Sequence, residues 1–480
     1  MNKRRLIKGL ERIVGRGAVL HHPDDLLVFE YDGSVDRAAP TAVVFPTSTH
    51  EVSDVVALAH REGIPVVPRG AGTGLSGGSI AVEGGIEIAL TRMRRILKID
   101  AANRIAIVEP GLVNLDLSQA TARFGLFFAP DPSSQRACTI GGNVAENAGG
   151  PHCLRYGVTT NHVIGLEVVL EDGSVVSLGD RFLGWPGYDL VGAFVGSEGT
   201  MGVVTRVVAR LLPVPQAVRT LLAVFPTVDQ ASSAVSRVIG SGMVPTALEM
   251  MDSLAIKAAD ASVHAGYPKE AGAVLLVEVD GLTEAVEEEA AEVQQVCERH
   301  QPIEIRTATD PLEREKLWAA RKGVLGALGH LAPNYSMGDG TVPRTRLPEV
   351  MARVGEISKE FGLPIANVLH AGDGNLHPAV LFDERNPDET RRAYEAGGEI
   401  LKLCVEVGGA LTGEHGIGLE KQEYMPLMFS ADDLEAMAGL KVAFGTGDLL
   451  NPGKIFPTGK SLPGASQSAA VGRAGAGAYI

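Results

Sequence analysis

Two histidines, His370 and His377, bracket the run HAGDGNLH, and the adjacent pair Glu414 and His415 follows in GEHGIG. Imidazole nitrogens with a carboxylate oxygen make a ligand set for a divalent cation that keeps an open coordination position, and a further imidazole beside them can act as a base near neutral pH. Asp373-Gly374 lies between the strand-like runs IANVL and LHPAVLF, so the segment reads as a hairpin with a two-residue turn. In that register position 370 faces position 377. Directly opposed residues share one face with Cβ atoms roughly 4.5 to 5.5 Å apart, close enough for both rings to reach one ion. Either histidine alone would more often be a core or turn residue. The matched pair, joined by a Glu-His pair in a glycine-rich segment, argues instead for a metal site of His370, His377 and Glu414, with His415 as candidate base. Zn, Mn and Fe suit such ligands equally.

The elements that must position these groups fall into two patterns. From 39 to 215 the chain is rich in glycine and short β-branched runs such as TAVVFP, IPVVP and RIAIVEPG, with one amphipathic helix near 50–62 carrying Val52, Val55, Val56 and Ala59. From 216 to 430 strands such as LLAVFP and GAVLLVEVDG alternate with longer helices near 229–239, 283–300 and 311–328, the pattern of an antiparallel α+β cap. Residues 1–38 form a cationic N-terminal helical segment, and 431–458 a last helix capped by Ser430, followed by NPGK. The Ser, Gly and Ala-rich tail 459–480 is expected to be disordered.

A chain of 480 residues holds at least two cores. A net charge of −15 speaks against nucleic acid as a partner, because phosphate binding needs a basic surface. Cys138, Cys153, Cys297 and Cys404 are scattered without a CxxC, which suggests neither a disulfide framework nor an iron-sulfur cluster and fits a cytoplasmic setting. No apolar run is long enough for a spanning helix; peripheral contact at the inner face of a membrane, through the basic N-terminus, stays open.

PRGAGTGLSGG, residues 68–78, contains a GxGxxG at Gly72, Gly74 and Gly77. A dinucleotide loop of the Rossmann type must follow a strand and open a helix. Here a strand-like run comes after the loop, so only the physical content survives: glycines let backbone amides surround a phosphate. PDPSSQRACTIGGNVAENAGG (130–150) and VGSEGTMGVVT (195–205) are similar stretches, and together the three imply a large cofactor spread over one lobe.

In their order along residues 20–458, PRGAGTGLSGG, PDPSS with TIGGNVAENAGG, GSEGTMGVVT, HAGDGNLHP, GEHGIG and NPGK resemble the FAD-linked oxidase family, which includes glycolate oxidase FAD subunits and D-lactate dehydrogenases. The resemblance implies an α+β protein: a PCMH-type FAD-binding domain of the vanillyl-alcohol-oxidase kind, a larger antiparallel-sheet substrate cap, and a C-terminal helical return to the FAD. It implies that Arg69, Gly70, Gly72, Thr73, Gly74, Leu75 and Ser76 hold the pyrophosphate. Pro130, Asp131, Ser134, Gly141, Asn143, Ala145 and Asn147 would line the flavin and ribityl chain, Val203 the adenine side, and Asn451 the isoalloxazine. No histidine stands where a covalent link would form, so the FAD is expected to be non-covalent. The implied activity is oxidation of a small D-2-hydroxy acid, with Arg321 of LWAARKG clamping its carboxylate and Tyr335 near the pocket. Relatives acting on 2-hydroxyglutarate tend to carry Asn where this chain has Ala379, which puts a second substrate carboxylate in doubt. Electrons would pass to an iron-sulfur partner subunit, a quinone or a cytochrome, in a homodimer or hetero-complex. A hydroxyglutarate-type dehydrogenase, a non-catalytic flavin subunit and a flavin-free metal hydrolase are the competing readings.

Overall fold

The computed structural model describes residues 2–181, 186–263, 266–445 and 447–458, so the tail expected to be disordered lies outside the described residues. Leu6, Ile7 and Leu10 form the buried stripe of the first helix, Lys3–Val14, which packs on the helix Thr49–Glu62 through the apolar core that holds Val52, Val55, Val56 and Ala59. Ser48 caps that second helix by accepting from the Glu51 amide, and Gly63 ends it with a left-handed φ of 61°. Beneath lies a four-stranded sheet in the order Val19–Leu20, Ala42–Val44, Ile86–Ala89, Val66–Arg69, its last three strands parallel. The 70–85 loop joins Val66–Arg69 to its parallel neighbour without an intervening helix. That connection is incompatible with a Rossmann turn, as the sequence context suggests. A five-stranded antiparallel sheet, Ile96–Asp100, Ile105–Val108, Val203–Arg210, Val163–Val169 and Val175–Gly179 in that order, completes the first half of the chain.

The second half is built on one seven-stranded sheet, antiparallel throughout, in the order Glu304–Thr307, Ala217–Phe225, Ala273–Gly281, Ala247–Asp252, Ile365–His370, Asn375–Phe382, Asn334–Met337. Helices Val228–Gly240, Thr283–Arg299, Leu347–Phe361 and Pro387–Glu406 pack into one apolar cluster with Leu221, Leu248 and Val277. Helices Ser253–Val263 and Pro311–Ala327 pack on the other face, against Leu222, Met251, Leu276 and Val368. Because both faces are covered, the central strands read as continuous apolar runs instead of alternating ones. A charged residue inside such a run is therefore informative.

The last helix, Ala431–Phe444, starts in a capping box: Ser430 Oγ accepts from the Asp433 amide at 3.2 Å, and the Asp433 carboxylate accepts from the Ser430 amide at 2.9 Å. Ser430→Ala should cost about 1 kcal/mol. The check is amide exchange, in which first-turn protection falls while the sheets keep theirs. The end of this helix reaches the first lobe, where Phe444 meets Phe194 with ring centroids 5.8 Å apart, and extended chain follows it. Val66 N donates to Leu449 O and Asn451 N to Val66 O, both at 2.7 Å, so Leu450 pairs in parallel with an edge strand. A free strand edge can be satisfied by extended backbone and not by a helix.

Candidate active site

The hairpin carries His370 and His377 in a register two residues away from the one an Asp-Gly turn dictates: His370 pairs with Asn375 and Val368 with His377. Asp373 Oδ1 accepts from the Asn375 amide at 3.1 Å, and Gly374 N donates to His370 O at 3.1 Å. Only Gly374, with φ 84°, is left-handed, so the turn widens to Ala371–Gly374. A type I′ turn would need both central residues at positive φ. Because side chains alternate with period two, a slip of two residues keeps both histidines on one face. Their ring centroids are 5.1 Å apart.

Glu414 Oε1 stands between them, 3.2 Å from His370 Nε2 and 3.1 Å from His377 Nε2. One ligand atom from each of the three residues lies within 4.8 Å of the others. Behind His370, Glu249 receives Nδ1 at 2.8 Å, which directs the other ring nitrogen forward, as metal-bound imidazoles require. Burial works against a charge on His370, and Glu249 with Glu414 outweighs it, raising the His370 pKa well above its usual range. A site with that potential suits a cation, and His377 Nε2 is buried there without a hydrogen bond. The residues present therefore fit a divalent metal.

His415 stacks on His377, 4.9 Å between centroids and 11° between planes. Among the described residues neither of its ring nitrogens has a hydrogen-bond partner. Burial pushes its pKa down to about 4 despite the nearby Asp339 carboxylate, leaving a neutral imidazole at pH 7. Arg321 is a buried residue paired through Nη2 with Glu249 Oε2 at 2.5 Å, while its Nε has no partner.

Glu249 and Asp339 do not figure in the sequence reading. Glu249 interrupts the apolar strand Ala247–Asp252, and an acid at such a position is the signal that was available. Asp339 is fully buried and accepts from Thr412 Oγ1 at 2.5 Å, from the amides of Glu414 and His415 at 3.2 and 3.0 Å, and from Lys421 Nζ at 2.8 Å. Its ligand atoms also lie near those of His377 and His415, but most of its donors converge on Oδ2, so its main part is to anchor the GEHGIG loop.

That loop is joined to the glycine-rich segments. Glu198 accepts from the amides of Ile417 and Gly418, both at 2.7 Å, and Leu419 N donates to Ser76 O at 2.8 Å. Among the described hydrogen bonds, none is donated by the backbone amides of Ala71 through Gly78, a stretch containing Thr73, Gly74 and Leu75. Gly72 and Gly77 have φ of 69° and 77°. Gly70 lies against the Thr139 hydroxyl at the start of the helix Ile140–Glu146, where a Cβ would meet Oγ1 at 2.4 Å. Ser76 Oγ, Ser197 Oγ and Glu146 Oε2 are buried without partners beside this cradle. Free amides and orphaned hydroxyls suit the phosphates and polar chain of a dinucleotide.

Three side chains sit otherwise than the family pattern implies. The Arg69 guanidinium is turned inward, with Nη2 donating to Tyr31 O at 2.8 Å and Nε 3.5 Å from Glu87, so the groups of this loop left free for a phosphate are its backbone amides. The Asp131 carboxylate is taken by His152, 2.7 Å away. The Val203 side chain is wholly buried in the first core, leaving only its backbone for an adenine. The other positions form the walls. Pro130 O accepts from Asn114 Nδ2, which also donates to Asn143 Oδ1, and Ser134 O accepts from the amides of Ala137 and Cys138. Gly141 packs on Pro110, Ala145 O accepts from Glu198 N, and Asn147 ends the helix at φ 52°. Asn451 Nδ2 donates to Gly78 O and Glu198 O, both at 2.7 Å, tying the returning chain to two of the loops. Ala379 is buried in an apolar cluster with Ala327 and Leu328, on the same sheet face as His377 and with Tyr335 packed against it.

An FAD binding domain model matches residues 40–179, and the model of the C-terminal domain of FAD linked oxidases matches residues 214–455. The chain is 47% identical over 441 residues, 92% of its length and 88% of the relative's, to glycolate oxidase subunit GlcD of Escherichia coli (strain K12). The chain belongs to the FAD-linked oxidases. A D-lactate dehydrogenase of Archaeoglobus fulgidus is 35% identical over 434 residues, covering 89% of this chain and 95% of that one. Among solved structures, p-cresol methylhydroxylase with substrate bound superposes with a TM-score of 0.80 at 19% identity, covering 96% of this chain and 98% of that one. Such distant likeness shows the fold, a PCMH-type one. This FAD-linked oxidase is thus an oxidoreductase of the glycolate oxidase and D-lactate dehydrogenase kind, with FAD as cofactor.

Proposed function

We propose that the protein oxidises a small D-2-hydroxy acid, glycolate or D-lactate, to the 2-oxo acid, with non-covalent FAD and a divalent metal, Zn, Mn or Fe, on His370, His377 and Glu414. The observation that carries this reading is the meeting of a cation site, a neutral imidazole on a loop hydrogen-bonded to the glycine-rich cradle, and an unpartnered buried guanidinium nitrogen on the helix Pro311–Ala327. When bound, FAD accepts the α-hydrogen with its electron pair and the cation polarises the substrate's hydroxyl and carboxylate.

His415 takes the hydroxyl proton: burial keeps the imidazole neutral at pH 7, and its ring nitrogens are unpartnered and free to accept. Asp339 holds that base in place through the loop amides, and Lys421 offsets the buried carboxylate charge. Arg321 offers Nε to the substrate carboxylate while Glu249 fixes its plane. Ala379 itself has no polar group to offer a second carboxylate, which favours monocarboxylates over 2-hydroxyglutarate. Electrons then pass from the flavin to a separate acceptor, a reading with which the E. coli relative's designation as a subunit agrees. No helix among the described residues is long and apolar enough to cross a membrane.

The test is anaerobic bleaching of the flavin by a panel of glycolate, D-lactate, L-lactate and D-2-hydroxyglutarate. Bleaching by the first two, lost on chelation and restored by added Zn, Mn or Fe, is the expected result. Bleaching by hydroxyglutarate alone moves the assignment to that substrate; no bleaching by any acid points to a flavin subunit without substrate chemistry.

A further inference from the structure

Residues 149–157 leave the flavin lobe and enter the cap. A Cβ on Gly149 would lie 2.8 Å from Glu414 Oε2, and one on Gly372, in the metal hairpin's turn, would lie 2.5 Å from Leu154 Cδ2. Farther along, the Tyr156 hydroxyl donates to Asp280 on a cap strand, and Arg155 Nε is 3.4 Å from the same carboxylate. At the start of this wedge stands His152. Its Nδ1 is 2.7 Å from Asp131 Oδ2 in the first lobe, and its Nε2 is 3.3 Å from Glu278 Oε1 in the cap sheet.

An ionised carboxylate can only accept, so an imidazole placed between two of them satisfies both by donating from both nitrogens, as the imidazolium. Burial opposes that charge, yet Asp131 and Glu278 raise the His152 pKa to about 10. The cap end of the bridge is rigid. Glu278 accepts from Arg314 Nε and Nη2 at 2.7 and 2.6 Å, from Trp318 Nε1 at 2.8 Å and from Thr220 Oγ1 at 2.6 Å. The Trp318 ring also lies against His152, 5.4 Å between centroids.

The helix Pro311–Ala327 presents Arg314 and Trp318 to Glu278 and, one turn on, Arg321 to Glu249. In the sheet Ala247 pairs with Glu278 and Glu249 with both Leu276 and His370, so the two acids are near neighbours on one face, with the metal-site histidine beside them. Asp131, His152, Glu278, Arg321, Glu249 and His370 thus form a continuous run of ionic contacts and helix from the first lobe to the metal ligands.

We infer that His152 is a positioning residue: by donating to Asp131 and Glu278 at once, it fixes the flavin lobe against the cap and so sets the approach of the substrate's α-carbon to the flavin. The inference rests on the proposed 2-hydroxy-acid oxidation. Loss of one donor would let the lobes separate slightly without removing any group that touches FAD, metal or substrate.

The experiment uses full-length holoprotein carrying His152→Gln, which donates from one end only, and separately His152→Ala, which donates from neither. Flavin reduction is followed anaerobically at saturating substrate, with protiated and α-deuterated forms of whichever acid bleaches the wild type. Flavin and metal content and the substrate dissociation constant should match wild type, while the reduction rate falls on the order of 10- to 100-fold, the scale for a small misplacement of reacting groups. The isotope effect should grow, because hydrogen transfer then limits the step more fully. A merely structural defect lowers the amplitude of bleaching and leaves rate and isotope effect alone. An unchanged rate and isotope effect overturns the inference, as does loss of flavin from both variants, which would make the bridge a folding element. If no 2-hydroxy acid reduces the wild type, the proposed function fails and this inference falls with it.

Discussion

Replacing Glu414 by Ala will leave a flavin-loaded protein that 2-hydroxy acids no longer bleach. Glu414 is the only carboxylate among the three candidate metal ligands, and its Oε1 lies within 3.2 Å of the Nε2 atoms of both His370 and His377. Two imidazoles without the anionic ligand bind a divalent cation weakly. Polarisation of the reacting oxygens is worth several kcal/mol, and each 1.4 kcal/mol is a factor of ten, so the reduction rate should fall by roughly three orders of magnitude or more. FAD should stay, because the 71–78 amides and the loops around Asn451, the cradle proposed for it, make no hydrogen bond to this side chain. Chelation of wild type should reproduce the effect reversibly. Elemental analysis with stopped-flow absorbance checks both, and a metal-free Glu414→Ala protein reduced at the wild-type rate would remove the metal from the chemistry.

The parts of this centre legible in the sequence were those written in local chemistry. Histidines on a strand, a Glu-His pair between glycines and three glycine-rich loops announce themselves by residue type. Helix starts were legible too: Ser48 caps Thr49–Glu62, which Gly63 ends, and Asp310 caps Pro311–Ala327, while apolar spacing marks the face of the first. The hairpin register was not, since an Asx turn at Asp373 and a two-residue turn at Asp373-Gly374 use the same dipeptide, and only the backbone distinguishes them. Glu249 and Asp339 were hidden for a different reason. Each owes its role to partners far away in the chain, His370 and Arg321 for the one, the 412–421 loop for the other. Spacing along a sequence carries no record of such pairings, and the inward turn of Arg69 toward Glu87 escapes it in the same way.

His415→Ala should separate the base from the metal site that it adjoins. The ring touches His377 by stacking and makes no hydrogen bond, so its removal strips no ligand and leaves the anchoring of the loop, which runs through the backbone amide of residue 415 to Asp339, intact. Flavin and metal content should therefore equal wild type, in contrast to Glu414→Ala. What is lost is the acceptor for the hydroxyl proton, and general-base removal typically costs between about 10² and 10⁴ in rate. Substrate affinity should hardly change, because Arg321 and the metal ligands that would contact the ground state remain in place. The loss should thus fall on the limiting rate of flavin reduction and not on the half-saturating concentration, the signature of an interaction made only in the transition state. Exogenous imidazole entering the space left by the ring should restore part of the rate. Wild-type reduction by His415→Ala would reassign the proton to another acceptor, and Lys421, already donating to Asp339, is poorly suited to that task.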